Sequence, residues 1–116
     1  MTQIVLYGIP NCDTVRKARK WLDTEGVDYR FHDFRKDGTD PDRLAGWMRT
    51  AGRDTLLNRR GTTWRKLPDT AKEAIDDDAG VALMVEHPAL IKRPVVEHAG
   101  GLLVGFDEAE WRAALL

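Results

Sequence analysis

The feature that most constrains this chain is a strand, a helix and a second strand packed into its first thirty-odd residues. Gln3 to Tyr7 holds the apolar run IVLY, bounded by Gly8 and Pro10, which reads as a short buried strand. From Asp13 to Glu25, Val15, Ala18, Trp21 and Leu22 recur at helical spacing, and Gly26 follows as the helix stop. Val27 to Phe34 alternates apolar with polar residues, as a half-buried strand does. A βαβ unit of this kind is right-handed in nearly all proteins, so the opening of the chain already dictates two parallel strands covered by a helix.

The remainder divides in two. Asp37-Gly38 breaks the pattern, and Asp40-Pro41 opens a helix with Leu44, Trp47, Met48 and Ala51 on one face and Gly52 at its end. Residues 54–87 read as short helices interrupted near Gly61 and Pro68, the last from Ala79 to Glu86 with Val81, Leu83, Met84 and Val85 partly buried. His87-Pro88 stops it, because the residue before proline resists helical angles. After Arg93-Pro94, VVEH and LLVGF flank a glycine turn as a hairpin, and Asp107 caps a final helix in which Ala109, Trp111, Ala114 and Leu115 are placed to pack. At 116 residues the expectation is one domain, 1–116. Its fold class is α/β, a thioredoxin-like fold with a helical insertion, approximately 38–90, between the βαβ and ββα halves. Pattern alone also permits other small α/β sandwiches.

The turn after the first strand carries the chemistry. In YGIPNCDTVRKA, Cys12 sits at the start of the first helix, where free backbone N–H groups and the positive end of the helix dipole favour a thiolate. The thiol pKa is expected below ~8.5, the free-cysteine value. Thr14, Arg16 and Lys17 add donors or positive charge, and Asp13 opposes them. The competing reading is a small buried hydrophobe, the common fate of lone cysteines. A strand-loop-helix junction favours reactivity.

Three separated segments, YGIPNCDTVRKA at 7–18, LLNRRGTTWRKL at 56–67 and HPALIKRPVV at 87–96, followed by Gly105-Phe106, resemble the arsenate reductase-like (ArsC) family over the whole chain, and most nearly its YffB branch. The resemblance implies a thioredoxin-like fold, a nucleophilic Cys12 and Arg93 close to it. It also implies that Pro94 takes the place of the cis-proline such folds hold opposite the active thiol. Arg60 fits the YffB pattern better than Arg59; with Arg93, Asn11 and Thr14 it completes the candidate substrate- and anion-binding set. Glutaredoxin-coupled arsenate reductases of this family bring three arginines to the oxyanion. Arg93 matches one; Asn58 stands at the second, with Arg59 and Arg60 just after it, and Gly105 stands at the third, so the resemblance leaves two cations rather than three and tight arsenate binding is not expected. Many Spx transcription regulators, of the same superfamily, carry a second cysteine three residues after the first. Here that residue is Val15, and a chain with one cysteine has no internal disulfide switch.

Other chemistry is excluded or weakly signalled. Cys-X5-Arg, which a cysteine phosphatase needs, fails because Ala18 occupies the arginine position. His32, His87 and His98 lack ligand spacing, and one thiol does not build a zinc site, so no metal is expected. Gly100, Gly101 and Gly105 lie in hairpin context rather than opening a helix as a dinucleotide site would. The basic stretch Arg59-Arg60 with Trp64-Arg65-Lys66 is either an anion site or a solvated face. Core packing accounts for at least three of the four tryptophans. The 18 Lys and Arg nearly balance the 19 Asp and Glu, which gives no pull toward nucleic acid or an anionic membrane. No apolar run follows a basic leader or approaches the ~18–20 residues of a membrane span, and a lone free thiol suits a reducing compartment, so the expected location is the cytoplasm.

Function then divides into three classes. The leading one is a thiol oxidoreductase with no bound cofactor, in which glutathione or another small thiol acts as reductant or co-substrate, with glutaredoxin as a further candidate partner. The alternatives are a Spx-like protein contacting RNA polymerase and a glutaredoxin-coupled arsenate reductase.

Overall fold

Val5–Gly8 forms β1, an inner strand with every residue buried, in a computed structural model that describes residues 3–73 and 76–116. Parallel to it runs β2 (Arg30–Asp33), with Leu6 opposite Phe31. On its other side β3 (Val95–His98) and then β4 (Gly101–Val104) continue the sheet antiparallel, giving the order β2-β1-β3-β4. The crossover between β1 and β2 is α1 (Asp13–Thr24), and α7 (Glu108–Leu115) follows the hairpin. These elements make one compact unit, formed by the chain up to Gly38 together with Arg93–Leu116.

The core of this unit follows from the helical and strand periods. Leu6, Val96 and Leu103 from the sheet meet Val15, Ala18, Trp21 and Leu22 from α1 and Trp111 from α7. Each such aliphatic side chain, fully buried, stabilises the fold by roughly 1.5–3 kcal/mol. Trp111 packs edge-on against Phe106 at 4.9 Å and Trp21 at 6.1 Å between ring centroids. In α7 the packing rests on Trp111, with Leu115 partly buried four residues on, while Ala109 and Ala114 face solvent, contrary to the expectation from sequence. One helical stripe of so short a helix has room for little else.

Two boundaries moved for identifiable reasons. The strand expected from Val27 begins at Arg30, because the Val27 N–H bonds the Leu22 carbonyl at 2.9 Å and the Gly26 N–H bonds Asp23, closing α1. It ends at Asp33, whose carboxylate takes the Arg35 N–H and starts a turn. Glycine is required where α1 approaches β1: a Cβ on Gly8 would lie 2.8 Å from a methyl of Val15.

Residues Thr39–Lys92 form the second unit. Its helices are α2 (Pro41–Ala51), α3 (Arg53–Leu56), α4 (Thr62–Lys66), α5 (Asp69–Lys72) and α6 (Asp77–Glu86), with a 3-10 turn over Pro88–Leu90 that sequence reading did not foresee. Asp40 caps α2 through the Asp42 N–H. α6 begins two residues before the expected Ala79 because Asp76 caps it through the Ala79 N–H. Within α6, Gly80 and Met84 are buried at i,i+4 spacing, while Val85 is 37% exposed rather than packed. Leu57 bridges Ile91, tying the start of the unit's basic segment to its last residues. Among the described residues no helix is long and apolar enough to cross a membrane.

Candidate active site

The loop Ile9–Asn11 carries the chain from β1 to α1, and Cys12 is the residue at which it becomes helical. The Cys12 N–H bonds the Ile9 carbonyl at 3.2 Å, and the Cys12 carbonyl accepts the first helical bond, from Arg16, at 2.9 Å. With φ −92° and ψ 126°, Cys12 is the N-cap of α1. Its side chain is half-buried against the core.

The thiol closes no conventional cap hydrogen bond, yet the sulfur sits among groups that favour its anion. Burial pushes the thiol pKa up. The Val15 N–H, a hydrogen bond and the positive charge from Arg93, and the Thr14 N–H together outweigh it, so the pKa falls below the ordinary thiol range. Arg93 is thus the cation at the sulfur. Arg16, counted from sequence as a nearby charge, is instead ion-paired with Asp13, which neutralises both at the exposed start of the helix. The Asp13 carboxyl is held below the usual carboxylate range by that hydrogen bond and charge.

The remaining candidates fall into place unevenly. Thr14 contributes its backbone N–H, and its side chain is exposed. Asn11 is exposed in the loop, its side chain without a hydrogen bond among the described residues. Pro94 is buried, and the Arg93–Pro94 peptide, which the resemblance expects to be cis, is cis. Arg60 belongs to the second unit, where it is exposed. Its neighbour Arg59 is engaged, 3.2 Å from Asp54 and over the Trp64 ring. The three histidines lie in or at the ends of regular elements: His32 in β2 faces the Gly38 carbonyl at 2.8 Å, His98 at the end of β3 accepts from the Gly100 N–H, and His87 at the end of α6 lies 3.6 Å from Glu86. Among the described residues no three His, Cys, Asp or Glu side chains cluster to hold a metal.

Sequence reading missed a support behind Arg93. The Gly105 N–H bonds the Pro94 carbonyl at 2.8 Å, and the Gly105 carbonyl accepts from Trp111 Nε1 at 3.0 Å. Gly105 adopts φ +78°, in the left-handed region where an L side chain costs about 1–2 kcal/mol. An arginine at this position, as the resemblance gives the reductases, would be strained on this backbone. The signal was present in the sequence as a glycine just before a capped helix, but its two bonding partners lie far from it or deep in the core.

The lowered thiol has a direct consequence. Iodoacetamide alkylation of Cys12 should reach half-maximal rate at a lower pH in the native protein than in urea. A native midpoint at or above the unfolded one would refute the arrangement just described.

A family model described as the ArsC family matches residues 7–114. An uncharacterised protein of Haemophilus influenzae is 43% identical over 111 residues, covering 96% of this chain and 97% of that one. A global transcriptional regulator Spx of Streptococcus pyogenes is 28% identical over 114 residues, covering 97% of this chain and 84% of its own. Among solved structures, one described as YffB shares 46% identity at a TM-score of 0.95, over 98% of this chain and all of its own. An arsenate reductase (ArsC) related protein from Brucella melitensis shares 45% identity at a TM-score of 0.77, over 97% and 93% of the two chains. These neighbours have thioredoxin-like folds, as this chain does. A match that begins inside β1 and ends inside α7 takes in the cysteine turn, the arginine before the proline and the glycine behind it together, and the chain belongs to the ArsC family.

Proposed function

We propose that the protein is a glutathione-dependent thiol oxidoreductase in which Cys12 is the nucleophile. One observation carries the reading: a single half-buried thiol at a helix N-cap, bonded by a guanidinium and with no second cysteine in the chain. The Cys12 thiolate attacks the glutathione sulfur of a mixed disulfide, forms a Cys12–glutathione disulfide and releases the substrate as its thiolate. A second glutathione thiolate then attacks the glutathione sulfur of that adduct. Oxidised glutathione leaves, and Cys12 returns as thiolate. The substrate sulfur gains one electron and the incoming glutathione sulfur loses one, while the transferred glutathione sulfur stays at the disulfide level throughout. Arg93 lowers the thiol pKa, and its guanidinium fork also suits a carboxylate of glutathione. Asn11 and the Thr14 N–H frame the approach to the sulfur. A reducing cytoplasm supplies the thiol.

The test is mass spectrometry of the full chain after exposure to oxidised glutathione, followed by release with reduced glutathione or with glutaredoxin. An adduct confined to Cys12 and released by glutathione supports the reading. If the native chain forms no adduct while the unfolded chain does, the thiol is inert, and the Spx-like role in contacting RNA polymerase takes first place.

Arsenate turnover should be poor. Gly105 stands where the reductases carry an arginine, and each charge-assisted hydrogen bond contributes on the order of 1.5–3 kcal/mol. That one lost contact therefore weakens oxyanion binding by on the order of tenfold or more. A coupled assay with arsenate, glutathione and glutaredoxin checks this, and robust turnover would overturn it.

A further inference from the structure

The second unit holds a pocket of about 250 Å³ that the thiol chemistry does not use, lined by Asp54, Thr55, Asn58, Arg59, Arg60 and Lys92 around buried Leu57. Arg60 and Lys92 stand 32 positions apart in sequence and line one pocket because the backbone brings them there. The Asn58 N–H bonds the Leu90 carbonyl at 2.7 Å, the Lys92 N–H bonds the Leu56 carbonyl at 2.8 Å, and Leu57 bridges Ile91 between them. This two-stranded clasp fixes the backbone under both cations.

The side chains then sort by what they have left to offer. Asp54 takes Arg59 at 3.2 Å, and Trp64 covers the Arg59 guanidinium, so the one carboxylate that lines the pocket among the described residues is already matched. Asn58 Oδ1 accepts the Arg60 N–H at 3.1 Å, which sets the backbone of Arg60 and leaves the amide nitrogen of Asn58 as a donor. Arg60, Lys92 and Asn58 Nδ2 have no hydrogen-bond or ion-pair partner among the described residues. A pocket in which two cationic side chains lack a partner and the lining carboxylate is already ion-paired is complementary to an anion bearing several oxygens.

We infer that this pocket binds the anionic group, phosphoryl or carboxylate, of a small molecule, with Lys92 and Arg60 as its principal contacts. The inference stands apart from the reading of Cys12, since every group in it belongs to Thr39–Lys92. The test uses the full chain bearing Cys12→Ser, so that no thiol chemistry intervenes. Amide NMR spectra are followed during titration with inorganic phosphate and, separately, with succinate, at constant ionic strength maintained with sodium chloride. Saturable shifts at residues 55–60 and 92 are expected with at least one of the two. The dissociation constant should rise about tenfold or more in each of Lys92→Gln and Arg60→Gln. Tighter binding of phosphate identifies a phosphoryl ligand, and tighter binding of succinate a carboxylate. Shifts that never saturate with either probe, or an affinity unchanged in both variants, would overturn the inference. Both substituted side chains are exposed, so loss of the fold does not confuse the result.

Discussion

Arg93→Ala should slow glutathionylation of Cys12 by roughly tenfold to a hundredfold, the equivalent of losing one charge-assisted hydrogen bond to the thiolate. The guanidinium acts on Cys12 through a hydrogen bond and through its charge, and the alanine variant loses both. Arg93→Lys keeps the charge on a flexible stem but loses the planar fork, so its rate should fall between those of Arg93→Ala and wild type. The two effects separate in the pH profile. Alkylation of Arg93→Ala should have its midpoint at higher pH than wild type, with the lysine variant in between. Adduct mass followed over time at several pH values measures both. If Arg93→Ala reacts as fast as wild type with an unmoved midpoint, the helix N-terminus alone activates the thiol.

The same interaction links protonation to stability, with a definite sign. The thiol pKa is lower in the folded chain than in the unfolded one. Above the unfolded value both states carry the thiolate, and the stabilisation by Arg93 and the helix N–H groups is complete. As pH falls through the native value, the native thiol takes up its proton and that stabilisation is lost. Denaturant midpoints of wild type should therefore rise with pH across this window relative to those of Cys12→Ser.

Much of this was legible in the sequence because the relevant signals are local. The IVLY run, the 3.6-residue spacing of Val15, Ala18, Trp21 and Leu22, and the placement of Cys12 at the start of that helix each depend on residues a few positions apart. Asp40 and Asp107 were readable as caps for the same reason. What was not legible depends on distant partners. No local pattern ties Gly105 to the Pro94 carbonyl or sets Lys92 beside Arg60 across a clasp. The exposed Ala109, Ala114 and Val85 show a different failure. Helical spacing marks a face as apolar, but how wide a stripe is buried depends on what lies opposite.

Trp111→Ala should destabilise the protein by about 3–5 kcal/mol, a large fraction of the ~5–15 kcal/mol that holds a small domain together. Its ring is fully buried between Phe106 and Trp21, and alanine leaves a cavity that neither neighbour fills without leaving its own contact. Trp111→Phe distinguishes packing from hydrogen bonding. Phenylalanine retains an aromatic ring but removes Nε1, leaving the Gly105 carbonyl without its 3.0 Å donor in a buried setting. That loss is expected to cost about 1–3 kcal/mol, read as a lower urea midpoint. The effect should also reach the site, because the Gly105 N–H holds the Pro94 carbonyl, and Arg93, which precedes Pro94, bonds the thiol. Glutathionylation of Trp111→Phe, measured without denaturant where the variant is still folded, should therefore be slower than in wild type. The Cys12 alkylation midpoint should move upward as Arg93 loses its fixed position. A variant that lost stability but kept both rate and midpoint would confine Trp111 to the core. One that kept its stability as well would show that the buried indole bond contributes nothing, since the Gly105 carbonyl would then be satisfied without it.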